Sequence, residues 1–128
     1  MSVPPRAGEP MNAMTVEALY QQGFEYRCNG QFDLARSILQ QALQLNPQHA
    51  DSLWQIGLIQ GFEGDFEGSV ETLQKVVRAH PTHQEARYDL AMTMMMLGMM
   101  DEACAEFREV LRQNPNHEKA LQQVVYCP

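Results

Sequence analysis

Apolar and small residues recur along this chain at intervals of three and four residues, which is the spacing of a buried face on an α-helix. One such face contains Leu53, Ile56 and Gly57. A second face lies within residues 66–79 and consists of Val70, Leu73, Val76 and Val77. Two amphipathic segments separated by a short break predict a pair of helices, and the predicted fold class is all-α.

The breaks in this pattern return at a fixed interval of 34 residues. The prolines at this interval are Pro47, Pro81 and Pro115, and glycines lie 17 residues before them at Gly30, Gly64 and Gly98. Proline stops a helix because its ring cannot continue the hydrogen-bond ladder, and glycine accepts the left-handed backbone of a tight turn. The period therefore predicts three repeated helix-turn-helix units, over residues 16–49, 50–83 and 84–117.

Small residues occupy two places in every unit. They are Gly23, Gly57 and Ala91 at the eighth place, and Ala35, Ser69 and Ala103 at the twentieth. Helices in tight contact have axes roughly 8–10 Å apart, and bulky residues at both places would separate them. The pattern predicts that the two helices of a unit pack closely at these places.

These features resemble the tetratricopeptide repeat, whose pattern is Trp-x₂-Leu-Gly-x₂-Tyr followed by Ala-x₃-Phe, Ala and Pro. The matching residues are Gly23, Tyr26, Ala35, Ala42 and Pro47, then Gly57 and Pro81, then Leu90, Ala103, Phe107 and Pro115. Departures include Gln22 in a leucine place and Arg87 in the tryptophan place. The resemblance implies a right-handed α-solenoid of stacked repeats, forming a single domain over residues 15–128.

The two ends of the chain differ from the repeats. Residues 1–14 contain three prolines and no apolar core of a signal peptide, so we expect a flexible leader. Residues 118–126 are predicted to form a short capping helix that covers the last apolar face. It looks incomplete, and self-association is a possible use of its apolar residues, which are Leu121, Val124, Val125 and Tyr126.

The family resemblance also implies a concave groove, lined by places 2, 5, 9, 12 and 13 of each unit. The apolar residues at these places are Tyr20, Phe24, Trp54, Leu58, Phe62, Tyr88, Met92, Met95 and Met96. Place 9, commonly asparagine in the family, is apolar in all three units. So much apolar surface predicts a polypeptide cover, with Trp54 and Phe62 as central anchors. The cover could be another protein, a second copy of this chain, or the leader.

Charge and composition restrict the classes of partner that we expect the chain to bind. The net charge is −7, and no basic patch exists, so nucleic-acid binding is not expected. No apolar run is long enough to span a membrane. Cys28, Cys104 and Cys127 lack the spacing of a zinc or redox motif, and we expect reduced thiols in a cytoplasmic protein.

The sequence offers no arrangement typical of an enzyme, and we expect no cofactor and no metal. His49, His83 and His117 each close a unit, but equivalent positions in an array lie on the order of 10 Å apart. That distance is too long for two of them to share one ion, because metal–nitrogen bonds are about 2 Å. We interpret these histidines as residues of the connections between helices.

The predicted function is a non-enzymatic adaptor or scaffold that holds an apolar peptide segment of a partner protein in its groove. Two alternatives are a chaperone similar to the translocator chaperones of type III secretion, and a self-assembling structural module. A family subtype that grips the carboxylate of heat-shock chaperones uses lysine, arginine and asparagine in the groove. The residues at those places are Tyr20, Phe24, Gln55, Glu85 and Asp89, and the two acidic ones exclude that subtype.

Overall fold

The computed structural model describes residues 11–128, with side chains from residue 15 onward. Over this range the chain forms seven α-helices and no β-strand. They are α1 Met11–Cys28, α2 Phe32–Leu45, α3 Ala50–Phe62, α4 Phe66–Ala79, α5 Gln84–Met96, α6 Met100–Gln113 and α7 Glu118–Val124. The all-α class and the three helix pairs with a capping helix are confirmed.

The boundaries of the helices follow the 34-residue period of the sequence. Helices α3, α5 and α7 begin at Ala50, Gln84 and Glu118, each directly after the end of a predicted unit. The turn glycines Gly30, Gly64 and Gly98 have φ of 78°, 88° and 77°. These angles lie in the left-handed region, where a Cβ atom would be strained, and they explain why glycine stands at this place in every unit.

Helix α1 begins at Met11, inside the segment for which a leader was predicted. Residues 11–14 were predicted to belong to the flexible leader, whereas their backbone is helical. The rest of that leader, residues 1–10, lies outside the described residues. None of the described helices has the length and apolar character needed to cross a membrane.

The chain divides into two compact units, Met1–Gln55 and Ile56–Pro128. In the first unit, α1 packs against α2 through the small residues predicted from the sequence. Leu39 and Ala42 are fully buried, and a Cβ atom on Gly23 would lie 2.5 Å from the side chain of Leu39. Only glycine leaves room for that leucine between the helices.

In the second unit, the core lies between α4, α5 and α6. Its fully buried side chains include Leu73, Val76, Phe107 and Val110. The departure from the family pattern at Arg87 is accommodated by an ion pair. The Arg87 guanidinium donates to Glu106 at 2.9 Å and to the carbonyl oxygen of Pro81 at 3.1 Å. These bonds tie α5 to α6 and to the preceding turn.

The periodic histidines are helix N-caps. Nδ1 of His83 accepts the backbone N–H of Ala86 at 3.1 Å, and His117 accepts that of Ala120 at the same distance. His49 accepts the N–H of Ser52 at 3.2 Å in the same way. Each ring thereby satisfies one of the backbone donors that a helix start leaves unpaired. Among the described residues, no group of His, Cys, Asp and Glu is arranged to hold a metal ion.

The expectation of three reduced thiols is wrong for two of them. Cys104 in α6 and Cys127 after α7 form a disulfide, with their Cα atoms 5.8 Å apart. The turn after α7 returns the chain to α6, where Arg108 donates to the main-chain oxygen of Pro128 at 2.8 Å. The cysteines are separated by 23 residues, so no local sequence motif indicates that they pair. Cys28 is free and exposed.

Two glycines of α3 provide a matched pair of substitutions with opposite expected signs. A Cβ atom on Gly57 would lie 2.7 Å from Cδ2 of the fully buried Leu73, whereas one on Gly61 would meet only the side chain of Ser69, at 3.5 Å from Oγ and 4.0 Å from Cβ. Overpacking costs about 1–3 kcal/mol, and alanine gains up to about 1 kcal/mol over glycine in a helix. We therefore expect Gly57→Ala to lower the free energy of unfolding and Gly61→Ala to raise it. Urea denaturation of both variants tests this, and shifts of the same sign would contradict the packing described.

Candidate functional site

An apolar pocket of about 250 Å³ opens on the surface of the second unit. It lies between the second half of α3, the start of α4 and one face of α5, and we call it the α3–α5 pocket. Its lining consists of Leu58, Gly61, Phe62, Phe66, Ser69, Asp89, Met92, Thr93 and Met96. Two large apolar side chains at its rim face water, since Phe62 is 59% exposed and Met96 is 64% exposed. Side chains of this size at an open cavity are typical of a surface that another molecule covers.

The α3 wall is formed by Leu58, Gly61 and Phe62, which share one helical face at i, i+3 and i+4. Gly61 leaves space because it has no side chain. The neighbouring hydroxyl of Ser69 donates to the carbonyl oxygen of Gly57 at 2.7 Å and is therefore already hydrogen-bonded. This wall consequently offers apolar contact rather than polar recognition.

The α5 wall is formed by Asp89, Met92, Thr93 and Met96, at i, i+3, i+4 and i+7 of one helical stripe. The hydroxyl of Thr93 donates to the carbonyl oxygen of Asp89 at 2.8 Å, so its methyl group is the part left for apolar contact. Asp89 is the charged residue of the lining. The pocket thus combines apolar walls with one acidic group.

Four of the nine predicted groove residues meet at this pocket: Leu58, Phe62, Met92 and Met96. Met95 is not part of its lining. Tyr88 lies elsewhere in the second unit, with its ring 5.8 Å from that of Phe107 and 5.5 Å from that of His117. Burial, with a smaller contribution from Asp89, raises the pKa of Tyr88. Tyr88 acts there as a packing residue between α6 and the start of α7.

Three predicted groove residues, Tyr20, Phe24 and Trp54, belong to the first unit. The rings of Tyr20 and Phe24 are 6.3 Å apart, and Tyr20 meets the ring of His49 edge-on at 5.5 Å. The guanidinium of Arg27 lies 5.3 Å from the centre of the Phe24 ring. Burial and the nearby carboxylate of Asp51 raise the pKa of Tyr20. These side chains are partly buried, and their role in binding stays a prediction.

The residues predicted for self-association lie at the end of the second unit. Leu121, Val125 and Tyr126 are 44%, 72% and 70% exposed, whereas Val124 is partly buried. Their use in self-association stays a prediction.

The prediction from sequence missed five residues of the pocket lining: Gly61, Phe66, Ser69, Asp89 and Thr93. Gly61 occupies place 12 but carries no side chain. Asp89 and Thr93 occupy places 6 and 10 of their unit, which are not among the five groove places from which the prediction was made. Extending the stripe of Met92 and Met96 by one helical turn would have found both. Phe66 and Ser69 belong to α4, and no periodicity of the first helices points to them.

Comparison with known families gives two matches, both to models of the tetratricopeptide repeat. One covers residues 16–49 and the other covers residues 63–125, so that together they account for about three quarters of the chain. Among curated proteins, none matches the chain at a significant level.

Solved structures share the fold over most of the chain. The first TPR domain of Spaghetti (RPAP3), bound to the HSP90 peptide SRMEEVD, has a TM-score of 0.83 at 16% identity, covering 88% of this chain and 91% of that one. The second TPR domain of human RPAP3, in complex with the HSP70 peptide SGPTIEEVD, has a TM-score of 0.81 at 14% identity, covering 89% and 95%. YrrB, a TPR protein with an unusual peptide-binding site, has a TM-score of 0.73 at 24% identity, covering 89% and 59%.

Proposed function

The chain belongs to the tetratricopeptide-repeat family, and from this membership we propose that it is a non-enzymatic adaptor that holds an apolar side chain of a partner polypeptide in the α3–α5 pocket. The observation that carries the proposal is the pocket itself, with Phe62 and Met96 exposed at its rim. Similar folds bind peptides, as RPAP3 does, which supports a polypeptide partner.

The size of the pocket favours a single anchor side chain. A buried cavity of roughly 150 Å³ binds benzene, whereas sites for complete small-molecule ligands usually measure about 300–1,000 Å³. At about 250 Å³, the α3–α5 pocket has room for one aromatic or long aliphatic side chain. Methionine lines it on the α5 side, and its flexible thioether can adapt to anchors of different shape.

The charge at the pocket favours a basic residue beside the anchor. Asp89 lies in the lining, the exposed Glu85 lies one helical turn before it, and the chain carries a net charge of −7. A lysine or arginine next to the anchor would be attracted by the negative electrostatic potential there, and a glutamate would be repelled. The proposed partner segment is therefore apolar at one position and cationic at its neighbours.

The partner proposed for this chain differs in charge from the peptide that one of its structural relatives binds. The HSP90 peptide bound to Spaghetti, SRMEEVD, carries two glutamates and one aspartate. Glu85 and Asp89 would repel such a ligand from the third repeat of this chain. We expect the same fold to be used here for a partner of opposite charge.

Fluorescence anisotropy with four short peptides tests the proposal on the intact chain. The first has one phenylalanine between lysines, the second replaces that phenylalanine by alanine, the third replaces the lysines by glutamates, and the fourth is SRMEEVD. We expect the first to bind best, and loss of its anchor to weaken binding about tenfold to a hundredfold, the value of burying one large apolar side chain.

Each comparison isolates one part of the proposal. A phenylalanine peptide that binds no better than its alanine version would show that the pocket takes no anchor. Equal binding of the lysine and glutamate versions would contradict the role given to Asp89 while leaving the anchor intact. Preferred binding of SRMEEVD would overturn both.

A further inference from the structure

The disulfide between Cys104 and Cys127 joins two cysteines that differ in their exposure to solvent. Cys104 lies in the middle of α6 and is only 1% exposed, whereas Cys127 follows α7 and is partly exposed. The bond therefore fastens the segment that contains α7 to the core of the second unit. Arg108, one turn after Cys104, adds a hydrogen bond to the main-chain oxygen of Pro128 at 2.8 Å.

The other contacts that hold α7 are weak. The helix has seven residues, and Ala120, which has a small side chain, is its buried one. Isolated helices shorter than about 12–15 residues are marginal in water, so α7 depends on its contacts with the rest of the unit. Its first turn covers Tyr88, through the ring of His117 at 5.5 Å and the ammonium of Lys119 at 6.0 Å. Val125 and Tyr126 remain largely in water and add little to docking, whereas Leu121 is 44% exposed.

We propose that the Cys104–Cys127 disulfide is a redox-controlled clasp, which holds α7 on the second unit when oxidised and releases it when reduced. Release uncovers the side of Tyr88 that His117 and Lys119 cover. This inference does not depend on the α3–α5 pocket, because none of the residues of the clasp lines that pocket. A reducing compartment keeps most thiols reduced, and the disulfides found there are usually transient or redox-sensing.

The reaction is a thiol–disulfide exchange with a dithiol protein of the thioredoxin class as the reductant. Its thiolate attacks the sulfur of Cys127, the more accessible end of the bond. The Cys104 sulfur leaves with the electron pair of the broken bond and takes a proton from solvent. The second thiol of the reductant then attacks the mixed disulfide, so that Cys127 becomes a thiol and the reductant becomes a disulfide. Two electrons and two protons pass to the chain, and oxidation reverses the sequence.

Amide hydrogen exchange followed by mass spectrometry tests the clasp on the full chain. Peptides covering residues 118–126 are compared in the oxidised chain and after reduction by thioredoxin under native conditions. We expect exchange in this segment to accelerate by about a hundredfold or more, since a bond that closes a loop of this length restricts the open state by that order. Exchange in α3 and α4 should be unchanged, which separates release of α7 from general unfolding.

Two variants complete the experiment. Cys127→Ser, kept under oxidising conditions, should exchange like the reduced chain, and Cys28→Ser should retain the full response because Cys28 is not part of the bond. Equal exchange of residues 118–126 in the oxidised and reduced chain would overturn the proposal. So would alkylation of all three cysteines after mild oxidation, because no bond would then have formed.

Discussion

Replacing Phe107 by alanine is expected to lower the free energy of unfolding by about 3–5 kcal/mol, the range measured when buried aromatic side chains are truncated. Phe107 has no exposed surface, and its ring lies 5.8 Å from that of Tyr88. It thus supports the contact between α5 and α6, and it also supports Tyr88, against which the start of α7 packs. Domains of this size are stable by only about 5–15 kcal/mol, so the loss would remove a large part of the total.

Phe62→Ala is the matched control, because it removes the same side chain from a position that is 59% exposed. We expect it to change the free energy of unfolding by no more than about 0.5 kcal/mol, as is usual for surface substitutions. Chemical denaturation followed by circular dichroism measures both variants. Similar losses at the two positions would mean that the burial of Phe107 in the core is wrong.

The helices could be predicted closely from the sequence because local signals fix them. Pro81 and Gly64 mark the ends of α4 and α3, and the predicted helix over residues 66–79 is found with the same limits. The close contact at Gly57 was also predictable, since a small residue recurs there at the period of the array. These features depend on backbone geometry and on the nearest neighbours along the chain, which a repeated sequence displays three times.

The disulfide could not be predicted because it depends on where the chain returns after its last helix. Nothing in the spacing of Cys104 and Cys127 indicates that the turn after α7 leads back to α6. The same reason applies to part of the pocket. Phe66 and Ser69 belong to α4, and the periodicity of the first helices leaves open which residues of a second helix line a pocket beside them.

Gly61→Leu is expected to weaken binding of the lysine-flanked phenylalanine peptide about a hundredfold, the size of effect found when a central anchor of an interface is lost. Gly61 lines the α3–α5 pocket, and a Cβ atom there would lie 3.5 Å from Ser69 Oγ, which is ordinary van der Waals contact. The helix therefore tolerates a side chain at this position. The rest of the leucine would occupy the space that the proposed anchor needs.

The substitution separates binding from folding, because leucine favours a helix over glycine by up to about 1 kcal/mol. Gly61→Leu should therefore bind less while unfolding at the same or a higher denaturant concentration. Gly61→Ala is the control, since one methyl group leaves most of the roughly 250 Å³ open and should preserve binding.

A double-mutant cycle then identifies the group that the pocket holds. Replacing the phenylalanine of the peptide by alanine should weaken binding to the natural chain and have almost no further effect on Gly61→Leu, since both changes remove the same contact. If the two losses add, the phenylalanine binds somewhere else on the chain, and the side chains of the first unit, above all Trp54, become the next place to test. Coupling of the two changes would assign the anchor to the space between α3 and α5, because Gly61 has no side chain of its own through which it could otherwise act.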